Sequence, residues 1–69
     1  MTAKGTLLRN LRTLSSGTIA SLIGNDRYAA IDRAATAAVL YAAALPEDEC
    51  KKYETFDDIC RLFRAANGK

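Results

Sequence analysis

The chain has 69 residues, 49% of them hydrophobic, with two cysteines, no histidine and a formal net charge of +2. A chain of this length has room for one core, burying roughly 60% of the surface its unfolded form exposes, and about 70 residues rarely draw more than ~3–5 kcal/mol from a core alone. The composition excludes a histidine-based catalytic centre and does not match a zinc site, which needs four protein ligands, or three and a water; the alanine-rich stretch, broken by Asp32 and Arg33, falls short of the ~18 apolar residues that span a bilayer.

From Thr6 the leucines fall at positions 7, 8, 11 and 14, with Arg9, Asn10, Arg12 and Thr13 on the other side, so an amphipathic first helix is expected. Ser15, Ser16 and Gly17 break it. Ser16 or Thr18 then caps a short second helix carrying Ile19, Leu22 and Ile23, and Gly24 ends it. Asn25 and Asp26 suit the N-cap of the longest element, from about Arg27 to Leu45, with Tyr28, Ile31, Ala35, Ala38, Val39, Ala42 and Leu45 along its apolar stripe. Nine alanines make this the central helix and let its neighbours approach closely. Because no charge occurs between Arg33 and Glu47, its second half needs cover from the domain or a partner. Pro46 stops it and opens a short fourth helix from the first helical position, with Glu47, Asp48 and Glu49 at the positive end of the dipole. Thr55 caps the last helix with Asp58 three residues on, and Phe56, Ile59, Cys60, Leu62 and Phe63 supply its buried side. The expected fold is all-α, a single domain over residues 1–69 made of four to five short helices around an alanine-rich central one.

Chemistry is hard to place on this scaffold. Without histidine the candidates are carboxylates, cysteines and tyrosines, and none forms a recognisable constellation. Asp57 and Asp58 are adjacent on a helix and face different directions, and the four glycines, at 5, 17, 24 and 68, form no phosphate loop. The expectation is a protein that is not an enzyme and has no catalytic residues, metal or cofactor. No basic start leads into an apolar signal segment, so the expected location is cytoplasmic, with Cys50 and Cys60 as small core residues and not a disulfide.

Charge is segregated along the chain. Residues 1 through 33 carry five basic side chains (Lys4, Arg9, Arg12, Arg27, Arg33) against Asp26 and Asp32, a net of +3. Residues 47 through 58 carry six carboxylates (Glu47, Asp48, Glu49, Glu54, Asp57, Asp58) against Lys51 and Lys52, a net of −4, and Arg61, Arg64 and Lys69 return +3. The segment from Ile19 to Arg33 partly matches a DNA-binding helix-turn-helix, with Ala20 and Gly24 at the spacing that packs helix and turn. Arg27 at the front of its second helix suits phosphate contact.

Two resemblances follow. Leu45-Pro46-Glu47-Asp48-Glu49, then Tyr53 and Thr55-Phe56 leading into Ile59, resemble the third helix and the capped start of the fourth in acyl-carrier and peptidyl-carrier proteins. Gly24-Asn25-Asp26-Arg27-Tyr28 falls where that family has Gly, any residue, Asp, Ser and Leu, but Arg27 replaces the serine that carries phosphopantetheine, so the resemblance implies helix arrangement without carriage. In format, small, without catalytic residues and acidic over one stretch, the chain is similar to the inhibitors encoded by phages and mobile elements, including anti-CRISPR proteins. That resemblance implies an inhibitor or adaptor whose patch of Glu47, Asp48, Glu49, Glu54, Asp57 and Asp58 blocks a nucleic-acid-binding surface of a larger protein or nucleoprotein complex. The alternative is a small nucleic-acid-binding module using Arg9, Arg12, Arg27 and Arg33. A homo-oligomer packed through the alanine-rich helix is a third expectation.

Overall fold

Side-chain caps set three of the five helix starts in the computed structural model, which describes residues 2–68; Lys69, counted above with the basic end, lies outside them. Five helices follow in chain order, α1 (Ala3–Arg12), α2 (Ser16–Ile23), α3 (Tyr28–Ala44), α4 (Glu47–Cys50) and α5 (Phe56–Asn67), with no strand among the described residues. The fold is an all-α bundle, and none of its helices is long and apolar enough to cross a membrane.

The Thr2 hydroxyl accepts from the Gly5 amide at 2.9 Å, so α1 starts at Ala3, four residues ahead of the first leucine of the pattern. Ser15, and neither Ser16 nor Thr18, caps α2, accepting from the Thr18 amide at 3.2 Å. Gly24 closes that helix at φ 69°, in the left-handed region that glycine enters without a Cβ penalty. Asn25 turns its Oδ1 onto the Arg27 amide at 2.9 Å, so the expected Asn25 or Asp26 cap of α3 is absent and Arg27 holds the cap position with no side-chain bond. Pro46, placed above at the first helical position, is instead the N-cap residue of α4, with extended backbone at φ −62° and ψ 156°. The Thr55–Asp58 capping box forms as expected: the Asp58 amide donates to Thr55 Oγ1 at 3.2 Å while Asp58 Oδ2 accepts from the Glu54 and Thr55 amides at 3.1 and 3.0 Å.

Helix α3 is the hub, packing against α1, α2 and α5. The buried line along it is Ala34, Ala38 and Ala42, against which Leu7, Leu11, Ile19, Ile59, Leu62 and Phe63 close the core. Small side chains here let α3 sit near the backbones of its neighbours. The apolar stripe expected for α3 is therefore rotated: Ile31, Ala35 and Val39 flank the core as half-buried residues and Tyr28 stands 87% exposed. Phe56, expected inside, is 55% exposed, while Ile59, Leu62 and Phe63 are buried as expected. Both cysteines are free; Cys50 is buried and Cys60 only half-buried.

The face of α3 opposite its alanine line comprises Ala29, Asp32, Arg33, Thr36, Leu40, Ala43 and Ala44, all exposed. Its uncharged end, with Leu40 at 64% exposure, stays uncovered in the single chain. At that end two helix termini satisfy each other. Glu47 accepts from the Ala3 amide at 2.5 Å and the Lys4 amide at 3.3 Å, and Lys4 Nζ donates to the Ala43 carbonyl at 2.9 Å. A carboxylate thus meets the positive end of α1 and an ammonium the negative end of α3.

Replacing Ala38, fully enclosed on the hub face, by leucine should overpack the core and destabilise the fold by about 1–3 kcal/mol. In thermal unfolding that lowers Tm by roughly 4–8 °C per kcal/mol, whereas Ala44→Leu on the open face should shift stability by less than about 0.5 kcal/mol.

Candidate docking surfaces

The six carboxylates between residues 47 and 58 divide by what holds them. Glu47 is half-buried and spent on the N-terminus of α1. Asp58 is fixed in the capping box and also paired with Arg61. Glu49 pairs with Lys52 at 3.2 Å. Asp48, Glu54 and Asp57 are exposed, and among the described residues none has a side-chain hydrogen bond or ion pair. The carboxylates without such a bond are thus three, one each from α4, the linking turn and the first turn of α5.

Phe56 lies between two of them. It shares the stripe of Ile59 and Phe63 but sits in the first turn of α5, where over half of its surface faces solvent. An exposed aromatic ring bordered by charge is the composition of an interface anchor with its polar rim. Sequence reasoning missed it because the stripe says which way a residue points, not whether a neighbour extends far enough to cover it. The one signal was its place directly after the Thr55 cap.

The pairing of Asp58 sets its titration. The Thr55 amide, then the Arg61 guanidinium, hold its carboxyl well below the usual carboxylate range. Arg61 is raised in turn by Asp58, and its guanidinium lies 5.7 Å from the centre of the Tyr53 ring, a cation–π distance. Burial pushes the Cys50 thiol up, and its Sγ lies 3.8 Å from the Ala42 carbonyl, so it stays a neutral core group.

The candidate nucleic-acid arginines are all exposed, and Arg12, Arg27 and Arg33 border three different concavities. Arg9 and Arg12 occupy the last turn of α1, where cations complement the dipole. Arg12 borders a hollow of about 300 Å³ with Leu14, Val39 and Leu40, and Arg27 borders another at the α2–α3 turn. Arg33 faces a groove of about 580 Å³ between α2, α3 and α5, floored by Leu22, Ile23, Ala30, Ala34 and Phe63, with Arg64 also on its lining. Among the described residues neither Arg33 nor Arg64 has a carboxylate within 4.0 Å. Sequence reasoning had Arg33 and Arg64 in separate basic segments; α5 folding back on α3 brings both to one groove, where Asn67 Nδ2 donates to the Phe63 carbonyl at 3.0 Å and lies 3.4 Å from that of Ala34.

Among the described residues no group of three His, Cys, Asp or Glu side chains is placed to hold a metal ion, and Cys50, Asp58 and Arg61, the groups with shifted titration, line none of these concavities. The chain matches no protein-family model, and no curated protein or solved structure shows significant similarity to it.

Glu47→Ala should destabilise the fold by about 1–2 kcal/mol, as loss of a charged helix cap does, while Asp48→Ala one residue on should stay within about 0.5 kcal/mol; urea unfolding of the two variants separates the structural carboxylate from the free one. Asp58 is more acidic folded than unfolded, so its contribution is complete above the ordinary carboxylate range and disappears as pH falls towards the folded value. Asp58→Asn should therefore lower stability at neutral pH and flatten its acid-side decline, read as Tm against pH.

Proposed function

We propose that this protein is a non-enzymatic inhibitor or adaptor that docks on a larger protein through the edge formed by Asp48, Glu54, Phe56 and Asp57. The observation that carries the reading is Phe56, an aromatic side chain 55% exposed between carboxylates that make no side-chain bond among the described residues. Such an edge supplies an anchor for desolvated contact and a negative field that speeds encounter with a positive surface. The partner surface that fits is basic, with an apolar recess for the ring; a surface that otherwise receives nucleic acid meets the first requirement. This is the mode of an inhibitor of the anti-CRISPR format, in which carboxylates take the place of phosphates. Two free cysteines are in keeping with a reducing, cytoplasmic setting.

The reading rests on three of the six carboxylates, because Glu47, Glu49 and Asp58 have partners within the chain. Capture from a lysate of the native host, followed by mass spectrometry, tests the reading with the wild-type chain beside D48K/E54K/D57K and F56A. A protein retained by the wild type at low salt should be lost at least tenfold in both variants once their folding is verified by circular dichroism. Equal retention by the charge-reversed chain would sink the proposal. Retardation of duplex or single-stranded DNA at low salt, abolished in R9E/R12E/R27E/R33E, would replace it with the nucleic-acid reading.

A further inference from the structure

The groove between α2, α3 and α5 and the edge at the start of α5 are opposite in charge, and each carries exposed apolar surface. The groove presents an apolar floor, including Leu22, Ile23 and Phe63, with the Arg33 and Arg64 guanidinia on its lining and no carboxylate paired to either among the described residues. At about 580 Å³ it lies within the ~300–1,000 Å³ range of sites that bury a compact ligand. The edge presents one exposed aromatic ring with a free carboxylate on each side, Glu54 and Asp57. Two positive charges and a hydrophobic recess on one surface face two negative charges and a hydrophobic projection on the other.

A chain cannot satisfy its own groove. Phe56 and Arg64 belong to the same helix, α5, eight residues apart, or about 12 Å at 1.5 Å per residue. We propose that the occupant of the groove is the Glu54–Asp57 edge of a second copy, with Phe56 seated over Phe63 and Leu22 and its flanking carboxylates paired to Arg33 and Arg64. The contact is heterologous: each copy uses its edge on one neighbour and its groove on another, so copies add head to tail until a ring closes or the chain of copies ends. One ring and two ion pairs make a small interface, so association is weak and salt-sensitive. The inference shares the edge with the docking reading above but adds the groove, which that reading does not use.

Sedimentation velocity from micromolar to millimolar protein tests it with charge exchange. The wild-type weight-average mass should rise with concentration above the 7.5 kDa of the chain and return towards it at high salt. R33E/R64E turns the groove acidic against an acidic edge, and E54K/D57K turns the edge basic against a basic groove, so each variant alone should remain monomeric. Mixed in equal amounts, they should associate again, because every edge then finds a groove of opposite sign; adding Phe56→Ala to both should abolish the mixed complex. A wild type that stays monomeric throughout overturns the proposal. So does self-association that R33E/R64E leaves unchanged, which would place the contact elsewhere, as on the open face around Leu40. Host-partner capture by R33E/R64E keeps the two readings apart, since that variant leaves the docking edge intact.

Discussion

Three alanines on one face of α3 set the distances at which everything else in this domain is placed. Ala34, Ala38 and Ala42 present little beyond backbone, so α1, α2 and α5 all settle against one helix and the larger leucine, isoleucine and phenylalanine side chains come from the surrounding elements. The usual division of labour is inverted: the central helix contributes the room and its neighbours contribute the bulk. Because α3 fills little of the core itself, its outer face is free to carry Asp32, Arg33 and Thr36 at one end and an uncharged strip at the other. Close packing of this kind leaves few voids, and a single added side chain on the hub is felt in every helix that touches it.

That hub also decides where recognition features fall. Helix α5 packs on α3 through Ile59, Leu62 and Phe63, with Asn67 beside the Ala34 carbonyl at one end, while its first turn carries no buried residue. Phe56 is exposed there, although Ile59 and Phe63 on the same stripe are buried. At the far end of α5, Arg64 comes alongside Arg33 of α3 over an apolar floor. One helix therefore holds an acidic, aromatic end and a basic, grooved end in fixed relation, and the bipolar charge of the chain becomes a bipolar surface.

Much of the fold was legible because local signals and helical periodicity agree. The Thr55–Asp58 box, Gly24 as the end of α2 and the leucines of α1 each have a short-range cause that the sequence states directly. Three features were not legible. The rotation of the α3 stripe is hidden because an alanine-rich helix offers several apolar faces of almost equal merit, and packing chooses among them. The exposure of Phe56 and Tyr28 depends on where neighbouring helices end, which is a tertiary fact. The partition of the acidic run required knowing that Glu47 reaches amides 44 and 43 positions away, so a run that reads as one patch is in part a set of caps. The convergence of Arg33 and Arg64 is likewise a product of topology.

Glu47 also bears on how the bundle comes together. Its bonds to Ala3 and Lys4, with the return bond from Lys4 to Ala43, close a loop that contains nearly two thirds of the chain. Loop closure carries an entropic penalty that grows with length, and here it is offset by a few hydrogen bonds at one point and by the leucines of α1 on the hub. The α2–α3 turn and the capping box need no such closure, since their partners are two to four residues apart. The domain thus has a locally determined middle and a long-range clasp, and the first turn of α1 is the part whose order depends most on the rest of the chain already being in place.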